Sequence, residues 1–219
     1  PLLDLSTLRI PTFAASEAMA GAVLRLTLNA TPFLLPLMFQ AGFGLDPLEA
    51  GSLVLVYFLG NLLMKSATTP ILRRFGFRTI LTVNGALAGV SIVACGFLTT
   101  STFYPLLLAI LFVAGRTRSM QFTALATLAF ADIDGNQRSS ASTLSSMFQQ
   151  ISMVFGVALA AALLNLSQMV RSASALTVDD FRTAFLVVGG LCVAASLQLL
   201  ILPRDAGAEV SGHRREQAA

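Results

Sequence analysis

ILTVNGALAGVSIVACGFLTTST, residues Ile80 to Thr102, carries no charged side chain. It is longer than the ~20 residues that a membrane-spanning helix needs. A helix on the surface of a soluble protein would set charge along its solvent-facing side, and this segment has no such side. Working outward, five more long apolar stretches flank it, so that the expected spans are 13–41, 48–72, 79–99, 103–130, 141–166 and 183–203. Hydrophobic residues make up 55% of the chain and charged residues 11%, with a mean hydropathy of +0.78, which is not the composition of a soluble domain. The sequence therefore predicts an all-α integral membrane protein, a six-transmembrane-helix bundle over residues 1–203 followed by a disordered tail over 204–219.

The remaining composition excludes several function classes. A net charge of +3 and a pI near 9.4 could suit nucleic acid, but the basic residues sit in short segments between spans rather than along one helix face. A nucleic-acid partner is not expected; the lipid bilayer is. Cys95 and Cys192 each lie in an apolar span without a second cysteine or a histidine nearby, so they read as small packing residues. The single histidine, His213, falls in the tail, and no resident cofactor is expected. The spans hold no HExxH, no GxSxG and no paired aspartates, which argues against an enzyme. The chain begins at Pro1 without a signal-peptide pattern and is read as a fragment.

Orientation follows from the basic residues outside the spans. With six crossings, Arg9, Arg73, Arg74, Arg78, Arg138, Arg204, Arg214 and Arg215 share one face, and only Arg171 and Arg182 fall opposite. The positive-inside rule then places both termini, and the tail, in the cytoplasm.

Glu17, Arg25, Lys65, Arg116 and Arg118 lie inside the expected spans, where an unpaired charge costs several kcal/mol. A rise of 1.5 Å per residue puts Arg25 at ~18 Å from the cytoplasmic start of its span and Arg116 and Arg118 ~18–21 Å deep, near the midplane. Glu17 is ~6 Å deep and Lys65 ~10 Å from its span's end. Arg25 reads either as a cavity residue that holds an anionic group or as a structural arginine paired to a neighbouring helix. For Glu17 the alternatives are a partly hydrated carboxylate or a salt bridge to Lys65, and a protonatable carrier. Arg116 and Arg118 point ~200° apart, so they cannot serve one site. Arg116 is assigned to the cavity because Met120 and Thr123 continue its face, and Arg118 to helix packing or snorkelling.

The first span repeats polar positions at Glu17, Gly21, Arg25 and Asn29, and the second at Tyr57, Asn61, Lys65 and Thr69, each forming a stripe. Pro32 and Pro36 predict a kink in the first span. The fourth and fifth spans carry Gln121, Thr123, Thr127, Ser142, Ser145, Gln149 and Gln150 and read as interior-lining. The third, with Gly85 and Gly89 at close-packing spacing, and the sixth read as peripheral, the sixth facing lipid almost throughout. The expected substrate or proton pathway is Arg25, Asn29, Gln40, Tyr57, Asn61, Arg116, Met120, Gln121 and Gln149.

At the turn after the second span, Pro70, Ile71, Leu72, Arg73, Arg74, Phe75, Gly76, Phe77, Arg78 resembles the degenerate second copy of the cytoplasmic glycine-and-arginine motif of the major facilitator superfamily. NATPFLLPLMFQ (29–40), GRTRSMQFTALATLAFADI (115–133) and RSSASTLSSMFQQISMVFGVALAAALL (138–164) together resemble its fourteen-helix drug:proton antiporter branch. The resemblance implies the C-terminal half of a major facilitator fold, with the first, second, fourth and fifth spans around a central cavity. It implies a multi-pass protein of the bacterial cytoplasmic (inner) membrane, a small-molecule substrate and a proton gradient as energy source. Arg73, Arg74, Gly76 and Arg78 take the positions of a cytoplasmic gate loop, although the acid of the stronger first-half motif is absent from it, and a topological anchor is the alternative reading. The first bundle and the family's usual proton-carrying acids are absent too, so a missing N-terminal helix bundle is the expected partner, ahead of a dimer of this chain. The expected function is the C-terminal half of a proton-coupled secondary transporter that exports small amphipathic or drug-like compounds by alternating access. The alternative is a non-transporting membrane interaction protein or remnant of a transporter.

Overall fold

The computed structural model describes residues 5–172, 175–203 and 206–207. The expected tail, with Arg204, His213, Arg214 and Arg215, lies outside the described residues except for Ala206 and Gly207. Six long helices occupy the six apolar stretches: α1 (Pro11–Gly42), α2 (Pro47–Phe75), α3 (Phe77–Gly96), α4 (Tyr104–Ala129), α5 (Arg138–Arg171) and α6 (Val178–Gln198). No strand occurs among the described residues. All except α4 are long and apolar enough to cross a membrane. In α4, Arg116, Arg118, Ser119 and Gln121 interrupt the apolar run.

Local sequence chemistry sets the helix ends. Asp46 caps α2 by accepting a 2.8 Å hydrogen bond from the Glu49 amide, and Pro47 occupies the first turn, where no amide partner is needed. Gly76 alone separates α2 from α3, and its φ of 72° is a left-handed conformation open to glycine. Thr177 and Asp180 form a reciprocal capping box on α6.

The first helix departs from expectation. It runs without interruption through Pro32 and Pro36, and its irregular parts lie at its ends, in π-helical turns at Ala14–Ala18 and Met38–Gly42. The break falls at Met19, where φ is −101° and ψ −118°. Ser16 backbone atoms occupy the space that a Cβ on Gly21 would need, so glycine permits the break. The stripe from Glu17 to Asn29 is thus not one helical face.

The helices pack principally as α2 with α4, α3 with α6 and α1 with α5. Small residues bring backbones together: Gly60 of α2 lies against the Phe112 carbonyl and Gly115 of α4 against the Tyr57 carbonyl. Gly89 and Gly189 meet in the same way across α3 and α6. The sixth helix is consequently not lipid-facing almost throughout, because Phe181, Phe185, Val188 and Cys192 are buried along one side. Only its other side exposes Leu186, Val187 and Leu191. Cys95 and Cys192 are buried and unpaired, as packing residues would be. Leu55, Phe58, Leu59, Leu62, Val154 and Phe155 leave apolar surface outside the bundle, which water would disfavour and lipid accommodates.

Up-and-down connectivity collects Arg9, Arg73, Arg74, Arg78 and Arg138 at one end. Hydrogen bonds from Thr12 to Asp132 (2.8 Å) and from Gln137 to Ser6 (3.3 Å) tie that end together. At the other end Arg171 pairs with the buried Asp180 carboxylate, and Arg182 pairs with Asp179 at 3.0 Å. The two arginines opposite the basic face are therefore both neutralised.

Candidate functional site

The π-helical turn and the break at Met19 place Glu17 within reach of Arg25, eight residues along the same helix. Arg25 Nη2 donates to Glu17 Oε1 at 2.7 Å, and the two side chains are 1% and 0% exposed. Glu17 Oε1 also accepts from Ser145 of α5 at 2.9 Å, and Gln149 donates to the Ser145 hydroxyl at 3.3 Å. A polar chain thus crosses from α1 to α5. Lys65, the expected partner of Glu17, is instead exposed on α2. The reason is the helix break, which turns Glu17 toward α5.

The pair is incompletely satisfied. Glu17 Oε2, Arg25 Nε and Arg25 Nη1 are buried without a hydrogen-bond partner. In a low-dielectric interior such groups carry a desolvation cost, so the pair contributes little net stability.

Arg25 forms part of the wall of a cleft of about 800 Å³ between α1, α4 and α5. Thr123, Thr127, Arg138, Ser142 and Gln149 supply its other polar groups, and Phe122, Ala126 and Phe130 its apolar surface. The volume is that of a pocket for a drug-sized molecule.

Of the residues expected along the pathway, the cleft gathers Arg25 and Gln149. Asn29 accepts a 3.3 Å hydrogen bond from Arg118 Nη2, while Arg118 Nε donates to the Leu28 carbonyl at 3.3 Å. The same guanidinium lies 4.7 Å from the Phe122 ring centre, so Arg118 fastens α4 to α1. Arg116 is turned the other way, exposed beside α2, with Nη2 3.8 Å from Met64 Sδ. The opposed directions of the two arginines hold, but it is Arg118 that faces α1. Arg25 and Arg116 do not form a midplane pair.

Gln121 is fully buried, donating to the Leu81 carbonyl at 3.0 Å and accepting from Asn84 at 2.9 Å, which clamps α4 to α3. Tyr57 and Met120 are buried in the helix core, Asn61 is half-buried on α2 and Gln40 is exposed at the end of α1. Arg73, Arg74, Gly76 and Arg78 gather at the one-residue turn, with Arg74 5.5 Å from the Phe75 ring centre.

The cleft also contains Arg138, Thr127 and Ser142, which the expected pathway omitted. Ser142, Ser145 and Gln149 recur at three- and four-residue intervals along α5, a signal of one polar face. Arg138 gave no such signal, since outside the span it counted only toward topology.

The sequence pattern described as Major Facilitator Superfamily matches residues 18–218. The chain belongs to the major facilitator superfamily. Its helices form half of a major facilitator fold, and membership points to a multi-pass membrane transporter rather than an enzyme. It is 32% identical along its whole length to proteins named as multidrug resistance protein MdtD from Escherichia coli O6:H1 (strain CFT073), Escherichia coli O157:H7 and Escherichia fergusonii. The alignment covers 46% of each, so the chain spans about half the length of the curated relatives it matches.

Proposed function

We propose that this major facilitator bundle is the C-terminal half of a proton-coupled exporter of small amphipathic or drug-like compounds, of the fourteen-helix drug:proton antiporter branch. It works by alternating access in a bacterial cytoplasmic membrane, with both termini cytoplasmic and an N-terminal bundle closing the cleft. The observation that carries the reading is the drug-sized cleft with Arg25, ion-paired to Glu17, in its wall. The whole-chain similarity to proteins named for multidrug resistance supports it. Proton coupling on this reading uses Glu17. Protonating its carboxylate ends the ion pair with Arg25 and weakens the link through Ser145, so a proton and a ligand at Arg25 both act on the contact between α1 and α5. The basic turn at Arg73, Arg74, Gly76 and Arg78 serves as the cytoplasmic gate.

The test is movement of a panel of amphipathic dyes, anionic and cationic, in inverted membrane vesicles carrying the natural protein that contains this chain. Gradient-driven accumulation that a protonophore abolishes and Glu17→Gln uncouples is the expected result. Absence of gradient-driven movement for a panel of dyes of either charge would favour a non-transporting remnant.

A further inference from the structure

Resting on the transport reading, we infer that the cleft between α1, α4 and α5 selects amphipathic anions, with a carboxylate or phosphate group bound at Arg25 and Arg138. The cleft wall holds two guanidinium groups and no carboxylate. Glu17 uses one N–H of Arg25 and is not itself part of the wall, leaving Arg25 Nε and Nη1 buried without partners. Nε–H and Nη1–H lie on opposite edges of the planar guanidinium, so each offers one charge-assisted hydrogen bond to a single anion oxygen. A cation would gain no carboxylate from the wall and would meet the charge of Arg138, while the charge of Arg25 is shared with Glu17 behind it.

The rest of the wall fits an amphipathic molecule. Phe122 and Phe130 provide the apolar surface for its body, while Thr127 and Ser142 offer hydroxyls beside the charged group. Arg138 is exposed in the first turn of α5, so it attracts an anion at the mouth, whereas buried Arg25 holds it deeper. The anion could enter from solution or as the headgroup of an acidic lipid, and both present the same chemistry to the arginines.

The experiment uses the natural full-length protein in phosphatidylcholine nanodiscs, titrated with dansylglycine and with its uncharged amide and read by dansyl fluorescence. The carboxylate is expected to bind about tenfold more tightly than the amide. Arg138→Gln should cut that preference to about threefold, and the paired change Glu17→Gln with Arg25→Gln should remove it. Arg182→Gln, at the far end of the bundle, should leave it intact. Equal affinity for the two dyes, or a preference that survives the paired change, overturns the inference. If the paired variant fails to fold, an unchanged preference in Arg138→Gln overturns it. Displacement of dansylglycine by added phosphatidylglycerol identifies a lipid headgroup as the occupant, and lack of displacement a dissolved anion; both support the anion site. Binding is measured without a gradient, so the two readings separate. Equal dye affinities in a protein that exports any dye of the panel overturn anion selectivity alone, and a tenfold preference in one that exports nothing overturns transport alone.

Discussion

Removing one member of the Glu17–Arg25 pair should cost more than removing both. Arg25 is buried, 2.7 Å from a carboxylate that is itself fully buried and has one hydroxyl, Ser145, as its other partner. Arg25→Met leaves that carboxylate with the serine alone, and Glu17→Gln leaves the guanidinium with no counter-charge. Each single change should destabilise the bundle by about 3–5 kcal/mol, the usual consequence of stranding a buried charge. The double variant Glu17→Gln with Arg25→Met retains the hydrogen bond between residue 17 and Ser145 and fills the arginine's space with an apolar chain. It should lose no more than about 2 kcal/mol, giving a coupling energy of about 4 kcal/mol or more. Equilibrium unfolding of the full-length protein in mixed micelles, for the four members of the cycle, measures this directly. A double variant whose loss equals the sum of the singles would refute the reasoning, because the two charges would then be solvated independently.

Other contacts give smaller and differently placed effects. Gly89→Leu and Gly189→Leu each put a Cβ within 2.8 Å and 2.7 Å of the facing glycine carbonyl, so each should destabilise the α3–α6 contact by about 1–3 kcal/mol in the same unfolding assay. Arg118→Gln loses its ties to Leu28 and Asn29 and its place over Phe122, for about 1–2 kcal/mol, whereas Arg116→Gln should stay within about 0.5 kcal/mol. Cysteine labelling tests orientation against little background, since Cys95 and Cys192 are both buried. A membrane-impermeant maleimide should label Ser101→Cys in intact cells and Gly135→Cys only after the cells are opened; the opposite pattern would reverse the assignment of the basic face.

The fold was legible because its determinants are local. Apolar runs set the helices, Asp46 and Pro47 cap one of them, and Gly76 turns the chain between two others. The basic end was legible for the same reason, as topology depends only on where arginines fall between runs. Kinking was less so: the prolines at 32 and 36 were the visible breakers, yet the break lies at Met19, where Gly21 accommodates the Ser16 backbone. No pattern in composition marks that site.

What the sequence determined by itself was a bundle of six apolar helices with charges embedded in three of them, and a direction of opposition between Arg116 and Arg118. Which neighbour each charge meets was decided only in three dimensions. Depth alone favoured Lys65 over Arg25 as the partner of Glu17, and the broken turn chose Arg25. Helical period fixes the angle between two side chains on one helix, but the rotation of that helix against its neighbours is set by close packing. The meeting of Gly60 and Gly115 with facing carbonyls seats α2 against α4, leaving Arg116 beside α2 and Arg118 beside α1. The cleft, with Arg25 and Arg138 in its wall, follows from that same long-range packing.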